Sequence, residues 1–183
     1  MAPSELVLEQ RLRRAYEWSR LRRALVGFVP ILILMLAAMV FGGRVSTVVV
    51  VGPLLFAFGV LSLWRGRELG RGVLPGVLAG GAALLLVLCA NRMGHYCTGE
   101  SCVSWCLPAC VAGGLLGGAY VGALGVRQRR GAGYWVSASV ITLLVGALGC
   151  SCVGYSGMIG LALGYGVLAL GSAVTAALRP ASK

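Results

Sequence analysis

Six runs of apolar residues, each long enough to cross a bilayer core as a helix, leave almost no chain for anything else. They cover residues 24–43, 45–64, 72–90, 107–126, 133–149 and 156–178. A helix needs about 20 residues to span the hydrocarbon of a membrane. No run alternates with the two-residue period of a membrane β-barrel strand. A soluble domain would devote about a quarter of its residues to charge, whereas 11% of these 183 are charged and the mean hydropathy is +0.90. The predicted fold is all-α: a polytopic membrane protein of six transmembrane helices over 24–178. A basic arm (1–23) precedes it, a short tail (179–183) follows it, and the lipid bilayer surrounds it.

Charge sets the orientation. The formal net charge is +11, but its distribution argues against nucleic acid as a partner. Of sixteen Lys and Arg residues only Arg44 and Arg92 fall in the loops at one end of the spans. The other fourteen lie at the opposite end: six in the arm (Arg11, Arg13, Arg14, Arg20, Arg22, Arg23), then Arg65, Arg67, Arg71, Arg127, Arg129, Arg130, Arg179 and Lys183. The positive-inside rule makes that end cytoplasmic, and an even number of spans puts both termini there. Arginine accounts for all but Lys183 of the basic residues, a codon usage expected of a GC-rich bacterial genome. The location expected is the bacterial inner membrane. The first span is too long for a signal-peptide core and no small-residue cleavage site follows it, so it is expected to remain as an anchor.

No Asp, Glu, Lys, Arg or His falls in the middle third of any span. Proton and ion pathways rely on such groups, so a pump or proton-coupled transporter is disfavoured. The polar residues within the spans include Ser137, Ser139, Thr142, Tyr165, Ser172 and Thr175, and they are expected to satisfy helix carbonyls. Glycines recur four apart: Gly76 with Gly80, Gly113 with Gly117, Gly114 with Gly118, Gly160 with Gly164. Small residues at that spacing let helices approach closely in lipid. They predict a bundle of spans three, four and six, or contact with partner helices through the glycine faces. The echo of Leu74-Pro75-Gly76 in Leu107-Pro108-Ala109 puts a proline at each helix start, a favoured position.

The arm reads as an amphipathic helix. Ser4 is its N-cap, Glu5 and Glu9 suit the positive end of its dipole, and Leu8, Leu12, Tyr16 and Trp18 form an apolar side next to Arg13. Such a segment lies on the membrane or docks a cytoplasmic protein. Leu8, Leu12, Arg13, Tyr16 and Trp18 are the candidate contacts for the latter.

The chemistry-bearing residues gather at the other end. All seven cysteines (Cys89, Cys97, Cys102, Cys106, Cys110, Cys150 and Cys152) and the single histidine, His95, fall at or beyond span ends on the side poor in positive charge. Cys102, Cys106 and Cys110 are four apart, but Pro108 disfavours one continuous helix through all three. A break near residues 105–107 is expected. Three readings compete. Structural disulfides follow from an oxidising compartment. His95, Cys97, Cys102 and Cys106 offer one imidazole and three thiolates, a set zinc accepts, although no C-x-x-C is present. A redox-sensitive thiol, with Arg92 and His95 nearby, is the third. No cofactor is implied. His95 lacks the serine and acid that would complete a catalytic set, so no catalytic residue is assigned and the chain is read as non-enzymatic. Trp105 and Tyr96 suit the interfacial aromatic belt.

The plan resembles that of the six-span bacterial membrane anti-sigma factors. The shared features are a short basic N-terminus, six spans in under 200 residues, and cysteines at the outer ends, with Leu148-Gly149-Cys150 closing span five. That family follows this cysteine with proline and places histidines in span six; this chain has Ser151 and Cys152 and no histidine there. The resemblance implies that residues 1–23 bind a sigma factor while outer cysteines sense a metal or an oxidant. The function expected is regulatory or sensory. The alternatives are a structural subunit of a membrane complex and a membrane thiol oxidoreductase.

Overall fold

The computed structural model describes residues 11, 18–19, 22, 25–26, 29–40, 45–65, 67–93, 95–98, 101–150 and 154–178. Six helices occupy most of them: α1 (Val29–Val40), α2 (Val45–Arg65), α3 (Arg67–Met93), α4 (Cys106–Arg127), α5 (Ala132–Cys150) and α6 (Tyr155–Leu178). Five of these are long and apolar enough to cross a membrane, with mean hydropathies between 1.6 and 2.3. The twelve described residues of α1 cover the middle of the first expected span. The other five expected spans coincide with α2 to α6 to within a few residues. The exception is the start of α3, which begins at Arg67 rather than 72, so Pro75 lies inside a helix instead of opening one. Pro53 is likewise interior to α2. Membrane helices tolerate such prolines because neighbouring helices re-satisfy the freed carbonyls.

Helices α3 and α5 form the centre. Within each of their apolar windows 56% of residues are buried, against 28% for α2 and α6. On one flank α4 packs onto α3, and α6 packs onto α4 and α5; on the other, α1 and α2 close over α3 and α5. Ile31, Val48 and Leu55 bury against Val73, Leu84, Ile141, Val145 and Leu148 on this second side. The rows Ile159, Leu163, Val167 and Leu170 on α6 and Val49, Val50, Leu54 and Leu61 on α2 remain exposed. Apolar surface of that extent fits lipid, not water.

The close approaches are made by glycine. A Cβ on Gly76 would lie 2.8 Å from the Ala138 carbonyl oxygen, and one on Gly80 2.8 Å from that of Thr142. The third helix therefore packs on the fifth, and the compact bundle includes span five as well as three, four and six. Gly113 faces Ala83 of α3, while Gly114 and Gly118 face Leu161 and Tyr165 of α6; Gly164 returns the contact onto Val111. All eight glycines of the four sequence pairs thus meet neighbours within the chain. Gly166 and Gly171, on α6, have open space beside them.

Buried hydroxyls find partners on helix carbonyls. Thr142 donates to the oxygens of Ala138 (2.7 Å) and Gly76 (3.3 Å), the second bond crossing from α5 to α3. Tyr134 donates to Val121 at 3.3 Å, and the hydroxyls of Ser139 and Tyr165 share a bond of 2.9 Å. Among the described residues no buried side-chain nitrogen or oxygen lacks a partner.

The segment after α3 holds a feature outside the all-helical expectation. Strands β1 (His95–Thr98) and β2 (Ser101–Ser104) pair antiparallel as a hairpin, followed by a turn at Trp105 and the start of α4 at Cys106. Pro108 sits in the first turn of α4, where helical N–H groups have no internal partner and proline costs nothing.

Candidate functional site

The described cysteines lie at one end of the bundle, opposite the end that carries Arg71, Arg127, Arg129 and Arg130. They are not equivalent. Cys89 is exposed near the end of α3. Cys106, the first residue of α4, is buried. Cys110 and Cys150 are each 0% exposed and share one apolar cluster with Ala83, Val87 and Leu161. The Cys110 and Cys150 side chains lie against each other in that cluster.

Helix geometry explains that meeting. Cys110 is the fifth residue of α4 and Cys150 the last of α5. The two helices run antiparallel from the short connection at 128–131, so the beginning of one lies level with the end of the other. Small residues clear the space: Gly113 lets α4 approach Ala83, and Gly149 sits over Leu84 of α3. The sulfurs therefore occupy the seam where α3, α4, α5 and α6 converge. Cys89, Cys106, Cys110 and Cys150 all carry thiols here.

The hairpin positions the next cysteines through its backbone. Its register pairs Cys97 with Cys102 and His95 with Ser104. His95 and Cys97 stand two apart on β1, and Cys102 is the register partner of Cys97. Cys106 stands apart, buried at the head of α4. Among the described residues no three His, Cys, Asp or Glu side chains come together as a metal site. Cys152, Leu8, Leu12, Arg13 and Tyr16 lie outside the described residues, as do Ser4, Glu5 and Glu9 of the arm. Trp18 is helical and 71% exposed.

Two hollows flank this arrangement. Near the cysteine end a cleft of about 350 Å³ opens between the beginnings of α2 and α6, lined by Ser46, Thr47, Val50, Val51, Tyr155 and Met158. Met158 also packs on the Cys110–Cys150 cluster, so the cleft and the buried thiols share a wall. At the arginine end a small polar hollow gathers Glu68, Arg71, Gln128, Arg129 and Arg130 beside Tyr134. There the Arg130 guanidinium lies 5.9 Å from the Tyr134 ring centre and donates to Gln128 Oε1.

The exposed Trp105 (54%) and Tyr155 (86%) frame the cysteine end, as interfacial aromatics do. The sequence singled out every cysteine in the cluster but could not say which meet. Nothing in the sequence marked Ser46 and Thr47 as lining a cleft.

No family model, no curated protein and no solved structure matches this chain.

Proposed function

We propose that the chain is a non-enzymatic regulatory or sensory protein of the bacterial inner membrane. In this reading six spans place both termini in the cytoplasm and the cysteine cluster on the periplasmic side, where thiols meet an oxidising environment. The observation that carries the reading is the buried contact of Cys110 with Cys150 at the seam of four helices. A change of oxidation state among the outer cysteines of the cluster is passed to this seam, and a packed core responds by shifting elements rather than absorbing strain. The basic arm at residues 1–23 is the output surface, binding a cytoplasmic protein through Leu8, Leu12, Arg13, Tyr16 and Trp18.

The test is site-specific photo-crosslinking at Trp18 in living cells, in the presence of oxidant or reductant. A cytoplasmic protein captured in a redox-dependent yield is the expected result. Capture of nothing but lipid, or of a protein in unchanged yield, rejects the sensor reading.

A second reading, a structural subunit of a larger membrane complex, draws on one observation. Gly166 and Gly171 on α6 have open space beside them and lie to either side of the exposed row Leu163, Val167 and Leu170.

A further inference from the structure

The cysteines of this end fall into pairs that two separate observations define. The first is the hairpin register. Thr98 and Ser101 close the ladder with only two residues between them. Such adjacent positions can bridge only by exchanging hydrogen bonds with each other, because the outer pattern would require a bond between two neighbouring residues. Hydrogen-bonded and non-hydrogen-bonded pairs alternate along an antiparallel ladder, so Cys97 and Cys102 form the next, non-hydrogen-bonded pair. At such a pair the Cα atoms are about 4.5 Å apart, inside the roughly 4.4–6.8 Å span that a disulfide tolerates. The second observation is the buried contact of Cys110 with Cys150, whose thiols touch without exposure to solvent.

We infer that the cluster holds two disulfides, Cys97–Cys102 across the hairpin and Cys110–Cys150 across the α4–α5 seam. This inference rests on the proposed periplasmic location of the cluster. In each reaction, which for the seam pair precedes the packing of α4 against α5, one thiolate attacks the disulfide of an oxidised protein dithiol carrier, giving a mixed disulfide. The second thiolate of the pair then displaces the carrier's sulfur. Two cysteine thiols become one S–S bond, the carrier disulfide becomes a dithiol, and the two protons lost by the cysteines end on the carrier.

The two bonds differ in consequence. Cys97–Cys102 closes a six-residue turn beyond the helix ends and ties no other element. Cys110–Cys150 joins two spans in an apolar interior that water-soluble reductants do not enter. The hairpin bond is the exchangeable one, and the seam bond is a fixed cross-link between α4 and α5.

This assignment also bears on metal binding. An oxidised Cys97–Cys102 pair removes two of the four groups in the set His95, Cys97, Cys102 and Cys106, and leaves no zinc site there.

The experiment traps thiols with N-ethylmaleimide in intact cells expressing the full-length protein. The protein is purified without reductant, digested, and its peptides are read by mass spectrometry before and after reduction. Cleavage after Glu100 and after Trp105 separates Cys97, Cys102 and the Cys106–Cys110 segment from one another, so these peptides stay joined only through disulfides. A Cys106→Ser, Cys152→Ser protein removes the neighbours that share peptides with Cys110 and Cys150. The expected result is a joined pair 97/102 in the natural chain and a joined pair 110/150 in both proteins. Disulfides between other partners overturn this pairing but leave an oxidised outer cluster standing. All seven cysteines alkylated before reduction, or zinc co-purifying with alkylatable Cys97 and Cys102, overturns the pairing together with the oxidised cluster itself.

Discussion

Replacing Gly114 or Gly118 with alanine should loosen the α4–α6 contact, and the size of the effect follows from the distances. A Cβ on Gly118 would lie 2.5 Å from the Tyr165 carbonyl oxygen, 0.9 Å short of the 3.4 Å at which ordinary contact begins. A Cβ on Gly114 would run into the Leu161 carbonyl oxygen and lie 2.9 Å from the Tyr165 nitrogen. The obstructing atoms are helix backbone, so no side chain can swing aside and α6 must retreat. A gap of 0.5–1 Å forfeits about a quarter to a half of each dispersion contact, and overpacking of this kind costs about 1–3 kcal/mol. About 2 kcal/mol for each substitution is the expected loss, a shift of roughly thirtyfold in the folded-to-unfolded ratio. The double substitution should cost less than the sum, because one retreat of α6 relieves both clashes. Gly166→Ala on α6, where nothing lies within 4 Å, supplies the contrast: it should be neutral or gain up to about 1 kcal/mol from helix propensity. Titration of the protein in mixed micelles with a denaturing detergent, followed by circular dichroism, measures all four variants. Equal midpoints for Gly114→Ala and Gly166→Ala would refute the packing of α4 on α6.

Further outcomes follow from the same geometry. Thr142→Val removes the hydroxyl that bonds Ala138 and Gly76 and should destabilise by about 1 kcal/mol, read by the same titration. A double-mutant cycle of Ser139→Ala and Tyr165→Phe should return a coupling of about 0.6 kcal/mol for their hydrogen bond, the usual size in a membrane interior; no coupling would place these hydroxyls apart. A Cys110–Cys150 disulfide would close a loop of about 40 residues, worth about 4 kcal/mol in the chain-entropy account, so the oxidised protein should outlast a Cys110→Ser variant by that margin. With a hydrophilic phosphine as reductant, the hairpin pair should open in the folded protein while the seam pair opens only on unfolding, as followed by differential alkylation and mass spectrometry.

Much of the architecture was legible because lipid imposes a simple length requirement. The apolar run 107–126 became Cys106–Arg127, and 133–149 became Ala132–Cys150. Pro108 correctly marked where α4 begins. Pro75 misled for the opposite reason: a proline rule learned from water fails where neighbouring helices supply the missing partners. Span five was overlooked as a bundle member because only glycines were counted. Its own small face, Ser137, Ala138 and Thr142, receives Gly72, Gly76 and Gly80 and has the same four-residue spacing between Ala138 and Thr142.

The hairpin was the larger omission. Tyr96, Thr98 and Val103 favour strands, and Gly99-Glu100 between two short runs is a turn signal, but each strand has only four residues and the cysteines drew the reading toward ligands. The meeting of Cys110 with Cys150 has no local signature at all. It depends on two helices of different length starting and ending at one level, which spacing along the chain does not encode.

The most direct measurement of the account is thiol counting in spheroplasts with a membrane-impermeant maleimide, before and after reduction. The account predicts that Cys97 and Cys102 label only once a reductant has acted, and Cys110 and Cys150 only in unfolded protein. Ready labelling of Cys97 and Cys102 without reduction would contradict the oxidised cluster. Labelling that appears only after the membrane is permeabilised would contradict its placement on the periplasmic side.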